Sequence, residues 1–226
     1  MLVCAQLTCY IKSVNMSKKK ADLKVFILGE ANVGKTTLLY RYIEGVFQDQ
    51  ISTIGASFFL KQWGKRHVSL WDTAGEERFS GLSNLYCRGA SAVIMAFDVT
   101  RPSSFHSLRS RFLPLVEYAN HNCLVVVTAT KVDLAKDTTP IITMAQGLEF
   151  TKTLNKELQL TTVPYFETSS KTGKDVTEVF EYVFRHCFPD ENLHKKTPPV
   201  HIKSRSSTVD LETQSNDEET MKVGCC

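Results

Sequence analysis

Eight consecutive residues, Gly29-Glu30-Ala31-Asn32-Val33-Gly34-Lys35-Thr36, read G-x-x-x-x-G-K-T. They lie between an apolar run, Leu23 to Leu28, that reads as a buried strand and a segment, Thr37 to Tyr42, that reads as a helix. A loop that leaves a strand and enters a helix points several backbone N–H groups at one place, at the positive end of the helix dipole. Gly34 permits close approach of a phosphate, Lys35 supplies a point charge for β- and γ-phosphates, and the Thr36 hydroxyl can ligate Mg²⁺. Residues Gly29 to Thr37 are therefore the candidate polyphosphate site. A glycine-bearing turn with a chance lysine is the bland alternative, and the strand and helix on either side disfavour it.

Four further stretches bear on the same chemistry. Asp72-Thr73-Ala74-Gly75 follows the run Val68 to Trp71. A carboxylate at the end of a buried strand can hold Mg²⁺ through water, and Gly75 can bring its N–H to a γ-phosphate. Thr53 stands between a loop and a hairpin, where its hydroxyl can join the metal once a γ-phosphate draws the segment in. Thr130-Lys131-Val132-Asp133 closes another strand. Asp133 there can accept hydrogen bonds from N1–H and the exocyclic amine of guanine, while adenine would leave the carboxylate unpaired; Lys131 can lie along the base. Glu167-Thr168-Ser169-Ser170-Lys171 ends the last strand, and its backbone amides can meet the guanine carbonyl. For Phe47 two readings stand open, an edge-on contact with the base and a hydrophobic anchor for its loop.

Positioning these groups requires alternating strands and helices. Strands are expected at Asp22 to Leu28, Ala56 to Trp63, Arg66 to Trp71, Ser91 to Phe97, Cys123 to Thr130 and Tyr165 to Thr168, with Gly64 turning a hairpin. Helices are expected from Lys35 to about Val46, Pro102 to Tyr118, Ile142 to Leu158 and Asp175 to Cys187. Pro102 suits a first helical turn with Thr100 as a nearby N-cap, and Pro114 should kink or shorten that helix. The alternation predicts a mostly parallel sheet covered by helices on both faces, with ligands at the carboxyl ends of the strands.

The chain has 226 residues and a formal net charge of +3, too small to imply a nucleic-acid partner. Seven cysteines show neither metal-ligand spacing nor disulfide-scaffold density, which suits a reducing compartment. Cys87 and Cys123 read as small core residues. Residues 1–20 read as a disordered extension, with Met16 an alternative start; 21–188 as the folded domain; and 189–226 as a flexible Pro-, Ser- and Thr-bearing tail. No apolar run is long enough to span a bilayer.

Five motifs in order over residues 22–188 resemble the small GTPases of the Ras superfamily, and the Rab branch fits best. Ile54-Gly55-Ala56-Ser57-Phe58 resembles the Rab first switch. Trp71 to Gly75 with Glu77-Arg78-Phe79 resembles the second, and Tyr86-Cys87-Arg88-Gly89-Ala90 the Y-x-R-G-A string. Leu60 to Trp63 and Arg111-Phe112-Leu113 are similar to the divergent subfamily numbered twenty, as is the wide spacing between Asp133 and Glu167, an insertion around 134–163. The resemblance implies a P-loop three-layer α/β fold, a six-stranded sheet with one antiparallel strand, and a GDP/GTP cycle with Mg²⁺ held by Thr36, Thr53 and Asp72. It also implies effectors reading Ile54, Phe58, Trp71 and Tyr86, together with an exchange factor, an activating protein, a GDP-dissociation inhibitor and a prenylation escort. A monomer on the cytoplasmic face of endomembranes is expected, with Golgi, endosome or phagosome following from the subfamily, and a cytosolic pool. The terminal Cys225-Cys226 is similar to the Rab double-prenylation site, and two such chains would anchor stably.

One position departs from the family pattern. Glu76 stands where these proteins usually have a glutamine that orients the attacking water, beside Gly75 and Lys35 in the implied catalytic set. An ionised carboxylate cannot donate a hydrogen bond and adds negative charge beside the γ-phosphate. Slow intrinsic hydrolysis is the expectation, and a GTP-biased scaffold with little turnover the alternative. A nucleotide kinase using ATP is disfavoured, because Asp133 selects guanine and no arginine-rich lid follows.

Overall fold

A computed structural model describes residues 21–48, 50, 52–53, 55–75, 87–135 and 142–190. Alternation within the strands decides the architecture. In β1 (Leu23–Leu28) Val25 and Ile27 point to one side, Phe26 and Leu28 to the other, and all four are buried. A strand apolar on both faces must lie inside a sheet with a layer on each side. The sheet has six strands in the order β2-β3-β1-β4-β5-β6. β2 (Ala56–Trp63) runs antiparallel to β3 (Arg66–Thr73), with Gly64 at φ 56° in the turn between them. β4 (Ala92–Asp98), β5 (Leu124–Thr130) and β6 (Tyr165–Glu167) continue in parallel from β1.

On one face lie α1 (Lys35–Glu44) and α4 (Val176–Cys187), burying Leu38, Leu39, Val179, Phe180, Val183 and Phe184 against Val25, Ile27, Ile94 and Val126. On the other lie α2, which spans residues 102–116, and α3 (Met144–Leu154), where Leu108, Phe112 and Phe150 meet Phe26, Met95, Phe97 and Val127. Cys87 is buried in this second core and Cys123 packs partly buried against it, as expected of small apolar residues.

Three details differ from the sequence expectation. The helix foreseen from Pro102 to Tyr118 is not uniform: α-helical turns at Pro102–Ser107 and Leu113–Val116 flank a wide π-helical turn at Leu108–Phe112. The Leu113 N–H reaches back to the Leu108 carbonyl, and Pro114, which has no N–H and crowds the carbonyl four residues back, follows directly. Thr100 is not the cap. The helix starts after Arg101, and the Thr100 hydroxyl instead donates to Asp98 at 2.6 Å. α3 is shorter than expected because a capping box, Thr143 with Gln146, fixes its start and Asn155 its end. At the end of α1, Gly45 takes a left-handed conformation and returns its N–H to Arg41.

Candidate nucleotide site

β1 ends at Leu28, and the chain turns across the sheet's carboxyl edge into α1. Gly29 makes that turn possible: a Cβ there would lie 2.2 Å from the Ala96 carbonyl oxygen of β4, at a φ of +148°. Lys35 then opens α1. Its ammonium is buried and donates to the carbonyls of Gly29 (2.9 Å) and Glu30 (2.8 Å), so the loop closes over its own lysine. Two of three N–H bonds are thus satisfied internally, and one remains for a phosphate. Burial lowers the Lys35 pKa to about 8, partly offset by the charge of Asp72. The pocket in front of the loop is lined by Ala31, Asn32, Gly34, Thr36, Thr37, Ser52, Thr53 and Gly75 among others.

Three oxygens converge beside Lys35. The Thr36 hydroxyl donates to Asp72 Oδ2 at 2.6 Å, the Thr53 hydroxyl lies 3.2 Å from the same oxygen, and the two hydroxyls are 2.8 Å apart. Asp72 is fully buried near the end of β3, and among the described residues its Oδ1 has no hydrogen-bond partner. Burial pushes the carboxyl above its ordinary range, against the opposing hydrogen bonds from Thr36 and the charge of Lys35. An orphaned, buried carboxylate oxygen beside two hydroxyls is costly alone and suits a hard, oxygen-seeking cation with its waters. The residues present fit Mg²⁺. Gly75 lies against the phosphate loop so closely that a Cβ would fall 2.1 Å from the Ala31 nitrogen.

The base-recognition stretches meet at the carboxyl ends of β5 and β6. Ser169, buried, donates its hydroxyl to Asp133 Oδ1 at 2.6 Å and so fixes the orientation of that carboxylate. Ser170 and Lys171 follow in a tight turn, where the Gly173 N–H returns to the Ser169 carbonyl and the Thr172 N–H to the Ser169 hydroxyl. Thr130 is buried, its hydroxyl bridging the carbonyls of Val33 (2.6 Å) and Phe97 (2.8 Å). Lys131, at a left-handed φ of 60°, donates to the Asn32 carbonyl at 2.7 Å and pairs with Asp98 at 2.7 Å. Its stem, rather than its charge, is therefore what remains to lie along a base.

Asp98 was not singled out from the sequence as part of the site, yet it is the hub behind it. The residue is 2% exposed, accepts from Lys131 and from the Thr100 N–H and hydroxyl, and forms an ion pair with Arg101 Nε at 3.5 Å. Burial alone would push its carboxyl up, but the hydrogen bonds from Lys131 and Thr100 outweigh it and hold the group below the usual range. A charged residue ending an otherwise wholly apolar strand was the available signal.

Phe47 is 45% exposed. Phe58, 51% exposed, meets Trp71 edge-to-face at 5.1 Å, and the Lys24 ammonium lies 4.8 Å over the Trp71 ring. Ile54, Glu76, Tyr86, Cys225 and Cys226 lie outside the described residues. Among the described residues, no helix is long and apolar enough to cross a membrane.

Comparison with known proteins agrees with this geometry. The family model described as the Ras family matches residues 24–188. The chain is 35% identical to the Ras-related protein Rab-20 of Mus musculus, covering 92% of this chain and 99% of that one, and 36% identical to the Homo sapiens Rab-20 over the same shares. It is 33% identical to the Ras-like GTP-binding protein RYL2 of Yarrowia lipolytica, covering 91% and 98%. Guanine-nucleotide binding, a P-loop fold, and work with regulators and effectors in endomembrane traffic come with such kinship. The strand order, the phosphate loop and the relatives agree: the chain belongs to the Ras family of small GTPases, on its Rab branch.

Proposed function

We propose that this GTPase is a Mg²⁺-dependent, lipid-tethered switch with slow intrinsic turnover. The observation that carries the reading is the convergence of Thr36, Thr53 and Asp72 beside Lys35, with one buried Asp72 oxygen left over. Thr36 and Thr53 would hold the ion directly and Asp72 through water. The ion supplies charge neutralisation for the β- and γ-phosphates. Lys35 binds the same phosphates, Asp133 and Ser169 hold the base, and Gly75 offers its N–H to the γ-phosphate. The exposed Phe58 on β2 and the half-buried Trp71 on β3, an aromatic pair, support the reading of this face as the effector surface, with Ile54 and Tyr86 read from the sequence as its further members.

Glu76 sets the turnover. It follows Gly75 directly, so its carboxylate stands in sequence where a donor to the attacking water is wanted. Single-turnover GTP hydrolysis in saturating Mg²⁺ is expected to run about tenfold or more faster in Glu76→Gln than in the wild type. In the same assay, chelating the metal should speed nucleotide release and depress hydrolysis in both proteins. Equal rates would sink the slow-turnover reading, and release indifferent to chelation would sink the metal assignment. Glu76 also favours a second reading, a GTP-biased scaffold; protein purified mostly with GTP would support it and mostly with GDP would not.

The tail from 189 to 226, ending in Cys225 and Cys226, is read as the membrane tether, doubly prenylated at those cysteines. Replacing both with serine should move the protein from the membrane to the soluble fraction of fractionated cells. Persistence in the membrane fraction would refute the tether. Golgi, endosome and phagosome membranes are the compartments proposed.

A further inference from the structure

The carbonyls of the phosphate loop are taken by an unbroken row of side-chain donors. Lys35 takes those of Gly29 and Glu30, Arg101 Nη2 that of Ala31 at 2.8 Å, Lys131 that of Asn32, and the Thr130 hydroxyl that of Val33. In a planar trans peptide the N–H of one residue points opposite to the carbonyl of the residue before it. Holding the Ala31 carbonyl on the outer side therefore turns the Asn32 N–H toward the pocket that Ala31, Asn32, Gly34 and Lys35 line.

This peptide needs holding. Asn32 has a φ of +62°, a left-handed conformation that glycine adopts freely and asparagine better than other residues with a Cβ, and rotation of the Ala31–Asn32 peptide is the natural way to leave it. Arg101 is built to prevent that. One planar guanidinium places Nε 3.5 Å from Asp98 and Nη2 on the Ala31 carbonyl, so the carboxylate aims the fork at the loop. Arg101 does not line the phosphate pocket; it acts from behind. A second arginine nearby, Arg111 from the wide turn of α2, reaches the Glu30 carboxylate at 3.5 Å.

We propose that Arg101 is a positioning residue for nucleotide binding: oriented by Asp98, it locks the Ala31–Asn32 peptide with its N–H toward the phosphates and thereby slows nucleotide release.

The test is release of fluorescent GDP from the full chain in saturating Mg²⁺, joined to ³¹P NMR of the bound GDP. Arg101→Gln and Arg101→Lys should both release GDP faster, roughly tenfold to a hundredfold for a lost charge-assisted hydrogen bond, and both should shift a bound-phosphate resonance. Lysine keeps the charge but cannot span Asp98 and the carbonyl with one planar group, so it should fail to rescue. Arg111→Gln removes a neighbouring charge without touching the peptide and should stay within about twofold of wild type. Because Arg101 is 39% exposed, its variants should remain folded, which the melting temperature of the GDP-loaded proteins checks. Wild-type release from Arg101→Lys would overturn the proposal, and so would faster release with unmoved phosphate resonances. An Arg111→Gln effect as large as that of Arg101→Gln would overturn it too, since charge alone would then explain both.

Discussion

Replacing Asp133 with asparagine will collapse GTP affinity and let the xanthine nucleotide bind in its place. Asp133 is an acceptor-only group at the pocket edge, already oriented by the buried Ser169 hydroxyl. Guanine would meet it with two donors, N1–H and the exocyclic amine. Asparagine keeps the oxygen that Ser169 bonds but turns the other position into an NH₂, which opposes the amine of guanine and suits the carbonyl that xanthine carries there. A site built around hydrogen bonds rejects the mismatched ligand strongly because the buried groups are left unpaired, so GTP affinity should fall by roughly a thousandfold or more. Competition of GTP against xanthosine triphosphate for one fluorescent analogue reads the inversion directly. An unchanged preference would mean that Asp133 does not face the base.

The second large effect is expected at Lys35. Removing a buried charge from a charge-assisted contact costs about 3 kcal/mol or more, so Lys35→Met should weaken GDP and GTP binding by roughly a hundredfold or beyond. The wild type should add a pH signature. Its lysine, lowered to about 8 by burial, is protonated below that value with or without nucleotide. Above about 8 the free site has lost the proton, and the phosphates must recapture it on binding. Affinity should therefore be flat below about pH 8 and fall as the pH rises beyond it, whereas Lys35→Met should lack this component. The same displacement acts on folding with the opposite slope: between about 8 and the ordinary lysine value the unfolded chain holds the proton more tightly, so the nucleotide-free protein gains stability as pH rises. Isothermal titration across pH 7 to 10 checks the binding limb.

Much of this could be read in the sequence because its signals are local. The glycine–lysine spacing of Gly29 to Thr36 sits between an apolar run and an amphipathic one, and β1 and β5, which lead into candidate groups, are buried along both faces. Charge pairing over long separations was not legible. Arg101 and Ala31 are 70 positions apart, Lys131 and Asn32 are 99 apart, and nothing in either stretch names its partner. Nor could Pro114 announce that its helix would widen rather than end. Proline removes a donor in every context, but whether the chain breaks or slips into a wider turn depends on the core anchors, here Leu108 and Phe112, that keep it in place. Asp98 merely ends an apolar strand in the sequence, and its role emerges only with the groups that converge on it.

The β2–β3 hairpin carries a consequence for how signals move through the molecule. The ladder runs in register from Trp63↔Arg66 to Ala56↔Thr73, and one more bond, from the Ala74 N–H to the Gly55 carbonyl, extends it. Thr53 and Gly75 emerge just beyond that last bond, on the two strands of one stiff ribbon. At its far end Trp63 stacks on Phe188 and donates to Glu181, so the ribbon cannot slide along its own axis without breaking those contacts. At the open end the proposed metal-binding hydroxyl of Thr53 and the proposed γ-phosphate amide of Gly75 therefore flank one backbone bond, Ala74 N–H to Gly55 carbonyl. On the proposed reading, free energy gained by ordering Thr53 would be passed through that bond to Gly75, and the reverse.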